Sequence, residues 1–109
     1  MRTLFMVKSN AADGREDEYN TWYNDVHLPE VLQISGFQAA QRFALNEHQV
    51  QKRQTHGYLA VYEIDTDNVA QTLQNLQQAT WLKMSDAIDQ RHVDISVFSA
   101  VTEQMMSTD

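Results

Sequence analysis

Cysteine is absent from this 109-residue chain, which excludes a disulfide framework, thiolate metal ligands and a cysteine nucleophile. Proline occurs once, at Pro29, and glycine three times, at Gly14, Gly36 and Gly57, so no Pro- or Gly-rich linker divides the sequence. Long apolar runs are missing too. Nothing approaches the roughly 20 residues of a membrane helix, and the apolar stretch within Met1–Lys8 is too short for a signal peptide. Basic residues are few: eight Lys and Arg stand against fifteen Asp and Glu, a net charge of −7. Only Lys52 and Arg53 are adjacent, whereas a nucleic-acid surface needs clustered cations to displace counterions. The same shortage disfavours anionic lipid. Gly-x-Gly-x-x-Gly, Walker-type and Gly-x-Ser-x-Gly sequences are absent, removing the obvious nucleotide and serine-hydrolase readings. The four histidines, His27, His48, His56 and His92, show neither His-x-His nor His-x-x-x-His spacing, so no metal site is expected. Neither nucleic acid nor membrane is expected as a partner, and the expected compartment is a reducing cytoplasm.

What is present is globular: 42% hydrophobic and 21% charged residues, in a mass of 12.6 kDa. A chain of this mass exposes roughly 18,000 Å² unfolded and roughly 6,000 Å² folded, enough for one cooperative core. No internal period repeats, so residues 1–109 are read as a single domain.

The hydrophobic period changes along the chain. Thr3 to Lys8 is short, apolar and β-compatible. From Arg15, Tyr19, Trp22, Tyr23 and Val26 follow the i, i+3, i+4, i+7 spacing of an amphipathic helix, with Glu16, Asp17 and Glu18 in its first turn. Pro29 disfavours helical geometry at Leu28, which predicts an end or bend around His27, followed by a short helical piece from Glu30 to Ile34. Gly36 to Leu45 alternates, with Phe37, Ala39, Gln41, Phe43 and Leu45 on one face and Gln38, Ala40, Arg42 and Ala44 on the other. The polar stretch Glu47 to Thr55 reads as a loop. Gly57 to Asp65 is a strand apolar on both faces, with Tyr58, Ala60, Tyr62 and Ile64 on one and Leu59, Val61 and Glu63 on the other. Asp67-Asn68 caps a helix striped by Val69, Leu73 and Leu76, and Trp81, Leu82 and Met84 suggest a further short helical segment. Val93 to Phe98 is a last strand.

This order, βαββαβ, is the ferredoxin-like split pattern. The predicted fold is α+β: an antiparallel four-stranded sheet with its helices on one face. The other face is left apolar with nothing in the chain to cover it, and a patch of that size calls for a partner. A homodimer, sheet face against sheet face, is therefore expected.

Trp22-Tyr23-Asn24-Asp25-Val26-His27-Leu28-Pro29-Glu30, then Gly36-Phe37, Arg42-Phe43 and Tyr58-Leu59-Ala60-Val61-Tyr62-Glu63, resemble the EthD-like group of the dimeric α/β-barrel superfamily. The order of motifs matches from Leu4 to about Val101. Members commonly carry proline directly before the glycine, where this chain has Ser35. The resemblance implies a homodimeric barrel with a pocket between sheet and helices in each protomer. It implies no cofactor for most of the relevant chemistry: superfamily members include quinone-forming monooxygenases, polyketide cyclases and muconolactone isomerases, alongside haem-degrading enzymes.

His27 leads the candidate catalytic residues, at i+4 from Tyr23 and i+8 from Tyr19 on one helix face. The family's helix-end histidine matches this position. An imidazole beside an apolar pocket can move a proton near neutral pH, with Tyr23 or Tyr58 as the donor that stabilises the developing enolate or phenolate. Tyr19, Trp22, Arg42 and Tyr62 are the candidate substrate-binding residues. The alternatives are core or interface roles for the tyrosines, an ion pair of Arg42 with Glu63, and helix-end capping for His27. The expected activity is cofactor-independent proton transfer or oxygenation on a small hydrophobic molecule, aromatic or polyketide-like. A non-catalytic dimeric scaffold and a haem-handling protein are the other readings. Haem handling is the weaker, because Val69 to Met84 contains no histidine.

Overall fold

In the computed structural model, which describes residues 2–108, strand β1 (Thr3–Ser9) buries Thr3, Phe5, Val7 and Ser9 and turns Leu4, Met6 and Lys8 to its other face. Strand β3 (Tyr58–Ile64) alternates likewise, with Ala60, Tyr62 and Ile64 buried. These two strands pair at the centre of one antiparallel sheet. Strand β2 (Phe37–Ala44) lies beside β3 and strand β4 (Asp94–Ser99) beside β1, giving the order β2-β3-β1-β4. That is the spatial order of the βαββαβ pattern, so the α+β expectation holds. The buried face carries a cluster of edge-to-face aromatics, Phe5, Phe37 and Tyr62, with ring centroids 5.7–5.9 Å apart.

The alternation of β2 departs from the simple pattern. A β-bulge pairs Phe37 with Ile64 and Ala39 with Glu63, leaving Gln38 as the extra residue. Phe37 therefore turns into the core, and Ala40 and Arg42 follow it on the helix side, while Ala39, Gln41 and Phe43 lie on the open face. Glu63 pairs with Arg2 at 3.3 Å and accepts from Gln38 Nε2 at 2.9 Å. Arg42, on the opposite face, makes no ion pair with it.

The first helix does not end at His27. It runs as α1 (Glu16–Trp22), a π-turn (Tyr23–His27) and α2 (Leu28–Val31). A proline lacks the N–H that would reach the Asp25 carbonyl, and its ring crowds that oxygen. Widening the turn removes the conflict: the Leu28 N–H reaches back five residues to the Tyr23 carbonyl. Helix α3 (Val69–Gln77) is capped as expected, with Asn68 Oδ1 accepting from the Gln71 N–H at 3.1 Å. Its Val69, Leu73 and Leu76 pack on the core.

The segment after α3 forms no helix around Trp81–Met84. Side chains of the first helix hold its backbone instead: Trp22 Nε1 donates to the Lys83 carbonyl, and Glu30 Oε1 accepts from the Lys83 N–H, each at 2.8 Å. A few residues on, Ile88 forms an isolated antiparallel bridge with Ala11, and Arg15 pairs with Asp86 at 2.8 Å. An irregular strap is thereby pinned across the end of the sheet.

Gly36 sits where α3 meets the turn into β2. Its φ is +106°, and a Cβ there would lie 2.0 Å from Thr72 Oγ1 and 2.8 Å from Thr72 Cβ, with Thr72 itself buried. Gly36→Ala is expected to cost about 2–4 kcal/mol from backbone strain and overpacking together, read from urea melts. Thr72→Ala in the same chain removes only the outer contacts and should restore part of the loss. An alanine variant as stable as the wild type would refute this account of the turn.

Candidate functional site

Between the helix-covered face of the sheet and the strap lies a cavity of about 370 Å³. Phe5 and Val7 form its floor, Trp22, Tyr23, His27 and Val31 one wall, and Leu76, Leu82, Met84 and Ile88 the other. Tyr62, Gln90, Val93 and Ile95 complete it. Met84 and Ile95 are 64% and 61% exposed, which marks the mouth. No Lys, Arg, Asp or Glu lines the space. The lining is apolar apart from one imidazole, two phenols and one carboxamide.

The π-turn is what builds the wall. In an α-helix, residues five apart stand roughly 140° apart around the axis. A turn closed over five residues reduces that angle to roughly 50°. His27 accordingly stacks on Trp22, with ring centres 4.6 Å apart and planes 23° apart. Tyr23 meets the His27 ring edge-on at 5.2 Å. Trp22 is in turn fixed by its bond to Lys83, so the imidazole is held by a residue that is itself tied to the strap.

One polar atom of this wall, His27 Nδ1, is buried without a hydrogen-bond partner, while the Tyr62 phenol is coupled to that of Tyr23. Leaving such an atom unpaired costs about 1–3 kcal/mol, and His27 lines the cavity. Burial lowers the His27 pKa from its ordinary 6.5, partly opposed by the negative charge of Glu30. The ring is therefore neutral at pH 7 and able to accept a proton. Burial also pushes the Tyr23 phenol up to about 12, and Tyr62 further still. Both phenols are uncharged donors at neutral pH.

Of the residues singled out from the sequence, the structure brings His27, Tyr23, Trp22 and Tyr62 to one cavity. It places Tyr19, Tyr58 and Arg42 together outside the cavity lining. Tyr19 is fully buried and bonded to Ser9, with oxygen atoms 2.6 Å apart. The Tyr58 hydroxyl donates to Glu16 Oε2 at 2.9 Å and accepts from Asn20 Nδ2 at 3.3 Å. Arg42 spreads over the rings of Tyr19, Tyr23 and Tyr58, its guanidinium carbon 5.2, 4.4 and 5.1 Å from the respective centroids. Sequence reasoning missed Met84, Ile88 and Gln90 as lining residues, because the strap carries no period that assigns a face. Among the described residues no group of three or more His, Cys, Asp or Glu is placed to hold a metal ion, and no helix is long and apolar enough to cross a membrane.

The fold is similar to that of two solved proteins. One, from Shewanella loihica PV-4, is described as a candidate monooxygenase: TM-score 0.60, 10% identity, 93% of this chain and 95% of that one covered. The other is an EthD (ethyl tert-butyl ether D) family protein from Bacillus halodurans C-125: TM-score 0.55, 8% identity, 93% and 100% covered. At such identities the likeness establishes an EthD-like fold, in agreement with the resemblance read from the sequence. A search of curated proteins finds no match. Residues 2–105 match the family described as "Domain of unknown function (DUF4286)", and the chain, EthD-like in fold, belongs to that family.

Proposed function

We propose that the cavity binds a small hydrophobic molecule, aromatic or polyketide-like, and that His27 moves a proton on it without a cofactor. One observation carries this reading: a neutral imidazole and two uncharged phenols line the same otherwise apolar space. In the step itself, a C–H beside a carbonyl or a phenolic O–H breaks, its electron pair stays on the substrate, and the proton forms an N–H bond on the His27 imidazole. A phenol of the wall donates to the oxygen that gains charge. Tyr23 and Tyr62 suit that role better than Tyr58, whose hydroxyl is already engaged by Glu16 and Asn20. Returning the proton to another atom completes an isomerisation or a cyclisation. The description of the Shewanella protein as a candidate monooxygenase fits the same opening step, since a substrate carbanion or phenolate can then meet oxygen.

The working unit in this proposal is a homodimer. The chain is a slab, 41 × 39 × 22 Å, with a radius of gyration of 15.2 Å, against about 13 Å for a compact domain of this length. Its accessible surface is 7940 Å², well above the roughly 6,200 Å² of a compact monomer of this mass. The uncovered sheet face, bearing Leu4, Met6, Phe43, Leu59, Val61 and Phe98, is where a second copy fits.

The test is a thermal-shift panel of 2-naphthol, 2-tetralone, 2-naphthoate and haem against the wild type and His27→Ala. A ligand at about 100 times its Kd adds roughly 2.7 kcal/mol, a rise of very roughly 10–20 °C for a domain of this size. The naphthol and the tetralone should produce it in the wild type and less in His27→Ala. A shift with haem alone, or with nothing in a cooperatively melting protein, would overturn the reading.

A further inference from the structure

The guanidinium of Arg42 is held in an unusual manner for so acidic a chain. Nη1 donates to Asn24 Oδ1 at 2.7 Å and Nη2 to Asn20 Oδ1 at 2.9 Å, while the Nε atom is buried with no partner. Both anchors are carboxamides. Among the described residues no carboxylate forms an ion pair with Arg42, although acidic residues outnumber basic ones fifteen to eight. An indirect link to negative charge runs from Asn20 through the Tyr58 hydroxyl to Glu16. The side chain is thus fixed in place with its charge left uncompensated. It rests closest to the ring of Tyr23, at 4.4 Å, and Tyr23 also lines the cavity.

A cation over the face of a phenol withdraws electron density from the ring and makes its O–H a stronger donor. Partial burial keeps solvent from screening that effect. We propose that Arg42 is a positioning residue of the cavity: its uncompensated charge polarises the Tyr23 hydroxyl, which then stabilises the anion formed on the ligand. Arg42 itself touches no ligand. In the same direction, its charge opposes the rise that burial imposes on both Tyr23 and Tyr62. This role rests on the proposed proton-transfer reading and adds the source of its electrostatic driving force.

Asn24→Asp separates the charge of Arg42 from its packing. The substitution is nearly isosteric at an exposed site, keeps the acceptor for Nη1, and places a carboxylate where it neutralises the guanidinium. If Arg42 were only structural, the new ion pair would leave the cavity unchanged. If the field matters, the variant should fold as well as the wild type and bind 2-naphthol, yet raise the pKa of the bound naphthol, read by absorbance, by about one pH unit. Arg42→Gln should shift it in the same direction, and the Asn24→Asp effect should vanish in a Tyr23→Phe background. An unchanged naphthol pKa in a binding-competent Asn24→Asp protein would overturn the role of Arg42 and leave the proton-transfer reading standing. An equal shift with and without the Tyr23 hydroxyl would overturn the route through Tyr23. Failure of the wild type to bind 2-naphthol would overturn the cavity reading and this inference together.

Discussion

His27→Gln is expected to slow solvent deuterium exchange at the α-carbon of bound 2-tetralone by about 10²–10⁴-fold, the usual contribution of one positioned base. The glutamine fills similar space and can satisfy a hydrogen bond but cannot take a proton. Binding should survive within a few-fold, because the apolar walls supply most of the contact. The pH profile sharpens the assignment. With neutral imidazole as the proposed active form, the wild-type exchange rate should rise as pH increases through the His27 pKa and then level. Burial lowers that pKa below its ordinary 6.5, so the midpoint lies on the acid side of that of a free imidazole. The variant should show no such midpoint. His48, His56 and His92 do not line the cavity, so none of them can replace the base. Exchange by His27→Gln at the wild-type rate would remove the imidazole from the chemistry. Binding without exchange in either protein would leave a ligand-binding protein with no proton transfer.

Much of this arrangement is legible in the sequence, and the illegible parts have definite physical causes. Period-2 alternation in β1 and β3 and the Asn68 cap of α3 depend on neighbours within a few residues, and these the sequence displays. The π-turn does not announce itself. Tyr19, Trp22, Tyr23 and Val26 have ordinary helical spacing, and Pro29 signals an end to a helix rather than a widening of it. Yet that widening stacks His27 on Trp22, so the wall of the cavity depends on a feature with no sequence mark. The bulge at Gln38 is similar: one extra residue reverses the facing of everything after it, which carries Arg42 to the tyrosines and away from Glu63. The strap forms neither helix nor strand because Trp22 and Glu30 claim the backbone of Lys83, a contact across more than fifty residues that no local pattern encodes. Local rules thus yield the scaffold. The cavity sits where long-range contacts override them.

Val61→Glu is expected to convert a dimer into a monomer with its fold intact. Val61 lies on the open face near the sheet centre, paired with Met6 on one side and Gln41 on the other. In the isolated chain it is only half-buried, so an added carboxylate there can reach water at little cost. Against a second sheet it could not. An uncompensated buried charge costs about 3–5 kcal/mol, and two-fold symmetry introduces one from each copy. Even one such penalty weakens the Kd by more than about a hundredfold. Sedimentation velocity at micromolar concentration should therefore show a dimer for the wild type and a monomer for the variant, with circular dichroism unchanged. The cavity lies on the helix-covered side, away from this face, so monomerisation should leave ligand contacts largely in place and lower the melting temperature through mass action. A wild type that sediments as a monomer would refute the second-copy arrangement. A Val61→Glu protein that remains dimeric would place the interface elsewhere on the chain.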